Sequence, residues 1–240
     1  MTGEEHPDRW GQDSLSSLLE VARGHELAAF QGQSRLFNLL AKVDAVFDAA
    51  SGSLPHSPNW FPGLLLLSSH RAFRGGAHLA LSGFAPESYA CARLVLEYSL
   101  SGVHLSRNPE TAVTWLSRHD GEAARRTVRN EFSYRGLLQE LTDLDADKAD
   151  KVSRLYELTI DRGAHPNEQA LTGVLEIEEQ PGQKSFKVAH LCGDGLALPH
   201  AMATLARCGV HGLDVFSLVF PERFSLTGVN ATLASLKSSL

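Results

Sequence analysis

No apolar run in the 240-residue sequence exceeds four residues, as at Leu64–Leu67, and crossing a bilayer takes roughly 20. A transmembrane helix is therefore not expected. Cysteine is scarce: Cys91, Cys192 and Cys208 are an odd number in no metal-ligand spacing, with no C-x-x-C. They are expected to be reduced thiols in a reducing compartment. The first twelve residues carry Glu4, Glu5 and Asp8 and lack the basic start and apolar stretch of a signal peptide, so the expected location is the cytoplasm. Phosphate-binding loops are missing, both G-x-x-x-x-G-K-[ST] and G-x-G-x-x-G; Gly193-Asp194-Gly195 is only a fragment of the second and reads as a turn. There is no G-x-S-x-G nucleophile elbow. Neither H-E-x-x-H nor Glu-x-x-His occurs, so no cofactor or metal is implied by motif. Basic residues are outnumbered, giving a formal charge of −6, which argues against a chain built mainly to coat nucleic acid.

Apolar residues at 43% and charged residues at 21% are ordinary for a globular protein, and the length is ample for a buried core. The dominant pattern is helical. Leu36, Leu39, Leu40, Val43, Val46 and Phe47 line one face of an amphipathic helix, and Ser14 stands where a cap for a preceding helix is expected. The two prolines of Ser53–Pro58 predict a loop. A helix is predicted over Pro62–Leu81. Another runs from Pro86 to about Leu105, apolar on most faces, which belongs inside a bundle. Shorter helices are expected at 109–116, 131–141 and 149–160, the last two separated by an acidic linker, Asp143–Asp147. The polar segment Arg118–Arg129 reads as a solvated face. The period then changes: Val174–Glu178 and Ser185–Ala189 alternate in twos around Pro181-Gly182, predicting an antiparallel hairpin whose Leu175, Ile177, Phe186 and Val188 cover the helical core. Final helices are expected over 196–219 and within 229–239. The predicted fold is thus mostly α, a helical bundle with one late β-hairpin. Residues 1–13 form a mobile tail, and 14–240 a single domain.

Two groups of residues stand out. On the helix after Pro86, Arg93, Glu97, Ser101 and His104 fall at i, i+4, i+8 and i+11, within about 80° of one another at 100° per residue. One reading is an Arg93–Glu97 pair facing solvent, another an internal polar cleft, a third a subunit interface. Leu94, Leu96 and Tyr98 on the same helix are expected to be buried. The segment Gly163-Ala164-His165-Pro166-Asn167 must break a helix, because proline restricts the residue before it. It is either a helix terminus with a capping turn or a rigid loop presenting His165 and Asn167 to a ligand. The sharper expectation joins Arg93, Glu97 and His165 in one cavity, with Asn167, Arg162 and His70 as further candidates. His70 and His78 lie two helical turns apart, about 12 Å, too far to share one ion.

The run Ser82-Gly83-Phe84-Ala85-Pro86-Glu87-Ser88-Tyr89 and the following Arg93-Leu94-Val95-Leu96-Glu97 resemble bacterial helical proteins of unknown function. So do Trp115-Leu116-Ser117-Arg118-His119, the GAHPN segment, and Phe220-Pro221-Glu222-Arg223-Phe224. Over roughly residues 35–235 the likeness is similar in outline to the HEPN group of helical nucleotide-binding and ribonuclease domains. It implies a helical fold, dimerisation, and Arg93, Glu97 and His165 as positions of interest. The ribonuclease signature of that group spaces arginine and histidine by four to six residues. Arg71 and His78 meet it on paper, but sixteen arginines and eleven histidines yield about two such matches by chance. The hairpin is not part of a minimal HEPN bundle.

Three functions follow as expectations. The first is a non-catalytic helical module binding a small polar ligand or a protein partner, of the accessory or defence-associated kind. The second is a HEPN-like, metal-independent ribonuclease using His165 with Arg162 or Arg93, which would make RNA a partner. The third is a metal-dependent hydrolase built from scattered histidines.

Overall fold

Asp13, rather than Ser14, starts the first helix: its carboxylate accepts hydrogen bonds from the Leu15 N–H at 2.9 Å and the Ser16 N–H at 2.8 Å. The computed structural model describes residues 7–52, 60–180, 183–193 and 195–240. The predicted loop at 53–58, the Pro181-Gly182 turn and Asp194 lie outside them. Residues 7–13 form turns tied to the first helix, the Ser17 hydroxyl donating to the Gly11 carbonyl at 2.9 Å.

The described chain is mostly helical. The long helices are α1 (Ser14–Gly32), α2 (Ser34–Ser51), α3 (Trp60–Leu81) and α4 (Ala85–Arg107). Five shorter ones follow: α5 (Thr111–Leu116), α6 (Glu122–Glu131), α7 (Tyr134–Leu144), α8 (Ala146–Thr159) and α9 (Glu168–Thr172). After the hairpin come α10 (Ala197–Val219), α11 (Pro221–Leu226) and α12 (Val229–Lys237). The expected acidic linker is almost entirely helical. Only Asp145 separates α7 from α8, because its carboxylate caps α8 by accepting from the Lys148 N–H at 3.1 Å. The polar 118–129 stretch contains α6, whose buried anchor is Val128. No helix of the described residues is long and apolar enough to cross a membrane.

The centre is a layer of three helices, α3, α4 and α10, each packed on the other two, with α4 the most extensively engaged. Val95, Leu96 and Leu100 of α4 meet a nearly continuous buried face on α10 that includes Met202, Leu205, Leu213 and Phe216. The approach of α4 to α10 needs a glycine at position 102: a Cβ there would lie 2.6 Å from the Phe216 ring. Around this layer, α2 covers one side and α7 and α8 the other. Helix α1 buries small residues (Ser16, Ala22, Ala29) and leaves Leu15, Leu19, Leu27 and Phe30 exposed.

The hairpin forms as expected, β1 (Leu175–Gln180) pairing antiparallel with β2 (Gln183–Val188), with Leu175 opposite Val188 and Ile177 opposite Phe186. Its predicted role in covering the core is overturned. Ile177, Phe186 and Val188 are 54%, 65% and 59% exposed, and the strands pack chiefly on each other. Alternation in twos records the pleat; it does not say whether anything faces the apolar side. The bundle closes its own core from helices, so the hairpin projects from it.

A second correction concerns α4. Leu96 is fully buried, but Leu94 is 37% exposed and Tyr98 only half-buried, because the α4 side facing α5–α8 opens onto a cavity instead of a packed layer. Leu96→Ala should therefore cost about 2–5 kcal/mol in denaturant melts, and Leu94→Ala under about 1 kcal/mol. Equal losses for the two would contradict this placement.

Candidate functional site

The polar stripe on α4 is drawn under the second layer, and each of its residues meets a different element there. Arg93, one-quarter exposed, donates from a terminal guanidinium N–H to the Ala164 carbonyl at 3.0 Å, and its Nε lies 3.3 Å from Glu97 Oε1. That Nε has no partner in hydrogen-bonding geometry, so the contact with Glu97 is an ion pair and the directional bond goes to the main chain of the 160–164 turn. Glu97 accepts from the Tyr156 hydroxyl of α8 at 3.2 Å. Ser101 is buried. His104 is held between two carboxylates, Nδ1 at 2.7 Å from Glu140 of α7 and Nε2 at 3.2 Å from Glu131 of α6. Arg107 also reaches Glu140, at 3.2 Å.

Between this stripe and the second layer lies a cavity of about 590 Å³ with Glu97 and Ser101 on the α4 side. This is within the usual range for small-molecule sites. Its walls are aromatic. Tyr134 and Tyr156 stack with ring centres 3.6 Å apart and planes 11° from parallel, and Trp115 meets Phe132 edge-to-face at 4.4 Å. Burial pushes both phenols up to about 12, and for Tyr156 the negative charge of Glu97 adds to it. The Tyr134 hydroxyl is buried without a hydrogen-bond partner; Ser153 lies beside it but outside hydrogen-bonding geometry. Arg118 and Arg129 line the cavity from exposed positions. Neither guanidinium has an ion pair among the described residues.

The other sequence candidates do not meet here. His165 is exposed, and its ring reaches only the Pro166 carbonyl, at 3.4 Å. Asn167 is structural: its amide donates to the Ile160 carbonyl at 2.6 Å and the His165 carbonyl at 2.9 Å, while its oxygen caps α9 by accepting from the Ala170 N–H at 2.9 Å. The Gly163–Asn167 segment is therefore a capping turn. It is tied to Arg93 through Ala164 rather than through the imidazole. Helix α8 runs into it through a π-turn at 160–164. Gly163 takes a φ of 151°, and a Cβ there would lie 2.4 Å from the Pro86 carbonyl, so the turn is locked against the start of α4. Arg162 is exposed and lines a different, smaller cavity.

No family model, curated protein or solved structure matches the chain.

His70 belongs to a separate cluster. It is buried, stacks on Phe47 at 5.0 Å, and places Nε2 at 2.6 Å from Asp44 and Nδ1 at 3.8 Å from Asp48. Ligand atoms of Asp44, Asp48 and His70 lie within 4.8 Å of one another, as a metal site requires. The two carboxylates already share a cation, however. Arg74 reaches Asp44 at 2.7 Å and Asp48 at 2.9 Å. Burial pushes the Asp44 carboxyl up, but the hydrogen bonds and charges of Arg74 and His70 outweigh it and leave it below its ordinary value. An ion would have to displace that arginine.

Sequence reasoning found Glu97 and the stripe but missed Trp115, Phe132, Tyr134, Tyr156, Arg118 and Arg129. These come from four helices and the two junctions between α5 and α7, with no common spacing. The one signal was the Trp115–His119 run, which carries two of them. Arg93→Ala should cost about 1.5–3 kcal/mol, the loss of a charge-assisted bond to a main-chain carbonyl, and Arg93→Lys should recover only part of it because the guanidinium fork serves two directions. Thermal melts indistinguishable from wild type for Arg93→Ala would place the pair in bulk solvent.

Proposed function

We propose that this chain is a helical binding module whose α4 groove takes a small ligand with a flat aromatic body and an anionic substituent. One observation carries the reading: an aromatic-walled cavity has Glu97 and Ser101 at its base and two unpaired arginines at its rim. Aromatic faces reward a flat ring by offset or edge-on contact. The unpaired Tyr134 hydroxyl gains a partner if the ligand brings an acceptor, which removes the penalty of a buried, unsatisfied donor. Arg118 and Arg129 favour negative charge at the opening. Among the described residues, the cavity lining holds no histidine or cysteine. The Tyr134 and Tyr156 phenols stay protonated near neutral pH, and the one carboxylate of the lining is engaged by Arg93 and Tyr156. That chemistry suits holding a molecule better than converting one.

The ribonuclease reading draws no support from His165, whose ring lies on its own loop. The hydrolase reading would use the Asp44–Asp48–His70 cluster only after Arg74 leaves.

Fluorescence titration with 1-anilinonaphthalene-8-sulfonate, an aromatic anion, tests the proposal. Saturable one-to-one binding is expected, weakening about tenfold in the Arg118→Ala/Arg129→Ala double variant, equivalent to about 1.4 kcal/mol. Binding unchanged in that variant would remove the groove as the site. Mixed RNA incubated with and without EDTA should remain intact in both arms; cleavage would favour one of the two enzyme readings according to its EDTA sensitivity.

The exposed leucines and Phe30 of α1 also support self-association, since a helix that buries small residues and shows large apolar ones is unusual for an isolated surface. A dimer mass is expected by light scattering at micromolar concentration, shifting toward monomer in Leu27→Glu. A monomer mass for the wild-type chain would end that part of the reading.

A further inference from the structure

The second cavity, of about 300 Å³, is set where four segments meet: the start of α4, the π-turn, helix α9, and the segment leading into α10. Each of them is pinned. Gly163 packs against the Pro86 main chain, and the Cys192 N–H donates to the Gly83 carbonyl at 2.7 Å. The functional groups that line the space are Tyr89, Arg162, Gln169, Cys192 and His200. Among the described residues, the lining contains no carboxylate.

Tyr89 is 5% exposed, and its hydroxyl lies 2.7 Å from His200 Nδ1. Burial is the main cause that pushes the phenol up to about 12. Burial also pushes the His200 imidazole below its ordinary value, with Arg162 and Arg207 adding to the effect. Near neutral pH the pair is therefore a phenol beside a neutral imidazole. The Thr204 hydroxyl lies next to Tyr89 but outside hydrogen-bonding geometry. With the Tyr89 phenol donating to Nδ1 of the neutral imidazole, the Nε2–H of His200 is left as a donor. Arg162 has no ion pair among the described residues, although it sits within electrostatic reach of both Tyr89 and His200. Two 23-residue helices, α4 and α10, begin at this cavity, and neither N-cap residue, Phe84 or Leu196, supplies a side-chain cap. The positive ends of both dipoles add to the same sign of field, opposed on α4 by Glu87 in its first turn.

Among the described residues, this half-enclosed space presents a guanidinium with no ion pair and an imidazole N–H, with no carboxylate in its lining, and so is matched to a negative ligand. We propose that this cavity is a second ligand site that holds a small organic oxyanion between Arg162 and His200. The shared chemistry is a compact group with two or more anionic oxygens, either a phosphate monoester or a short carboxylate. The small, apolar remainder of the lining, Ala85, Pro86, Ala170 and Ala197 among it, limits the attached body to a few carbons. This site is independent of the α4 groove, so either can fail alone.

The test follows the His200 ring resonances by NMR in the full chain. The titratable or charged groups facing His200 are Tyr89 from α4, Arg162 from the π-turn, Cys192 from the segment before α10, and Arg207 on its own helix. Inorganic phosphate and succinate are the probes, titrated separately at constant ionic strength. A saturable displacement of the His200 signals is expected with at least one probe, and the one that acts identifies the class. Saturating probe should also move the His200 titration midpoint upward, because the bound anion offsets Arg162. Arg162→Gln, an exposed position that should fold normally, should weaken the response at least about tenfold and raise the midpoint of the free protein. No displacement by either probe, or displacement of equal strength in Arg162→Gln, would overturn the proposal.

Discussion

Burying α4 on two sides is the constraint from which the rest of the molecule follows. Its contact with α10 is close enough to require a glycine at position 102 under the Phe216 ring, and α3 closes the adjoining flank. Once those faces are committed to packing, the third face, which carries Arg93, Glu97, Ser101 and His104, has to lie beneath whatever chain comes next. Charged groups withdrawn from water need counter-groups. The second layer supplies them residue by residue: the Ala164 carbonyl, the Tyr156 hydroxyl, and the Glu131 and Glu140 carboxylates. Helices α6, α7 and α8 are thus held by polar ties at points along one stripe, and they cannot settle fully onto α4. The cavity is the space left between those ties.

That origin explains the character of the groove. Polar contacts fix the distance between layers, and aromatic side chains, the largest available, fill part of the gap from above. The Tyr134 hydroxyl is left without a partner there. Arg93 has a role at each end of this arrangement. Its ion pair helps to position Glu97 at the cavity, and its bond to Ala164 anchors the π-turn that presents Arg162 to the second cavity. One side chain therefore sets geometry at two places without lining either.

The two cavities differ in what they hold in readiness. The groove combines flat apolar walls with charge at its rim. The smaller space has a hydrogen-bonded Tyr89–His200 pair and an unpaired cation inside it. The GAHPN segment, which draws the eye as a ligand loop, serves both as scaffold: Gly163 fits against Pro86, and Asn167 closes the turn with three hydrogen bonds.

The sequence by itself determined the helical class, the late hairpin with its antiparallel partners, and the polar stripe on α4. Each of these rests on local periodicity or on proline and glycine chemistry, which act within a few residues. It also carried the break at 163–167, since proline and glycine allow no continuous helix there. Local pattern could not show that Leu94 faces a cavity while Leu96 does not, because both are leucines on a helix apolar on most sides. Nor could it tell whether the apolar face of the hairpin would meet the bundle. The residues of both cavities come from elements far apart in the chain, Tyr89 and His200 being 111 positions apart. Their meeting depends on how α4 and α10 cross. Only the tertiary structure decides that, because a crossing is fixed by the fit of two whole helix surfaces and not by the spacing along either one.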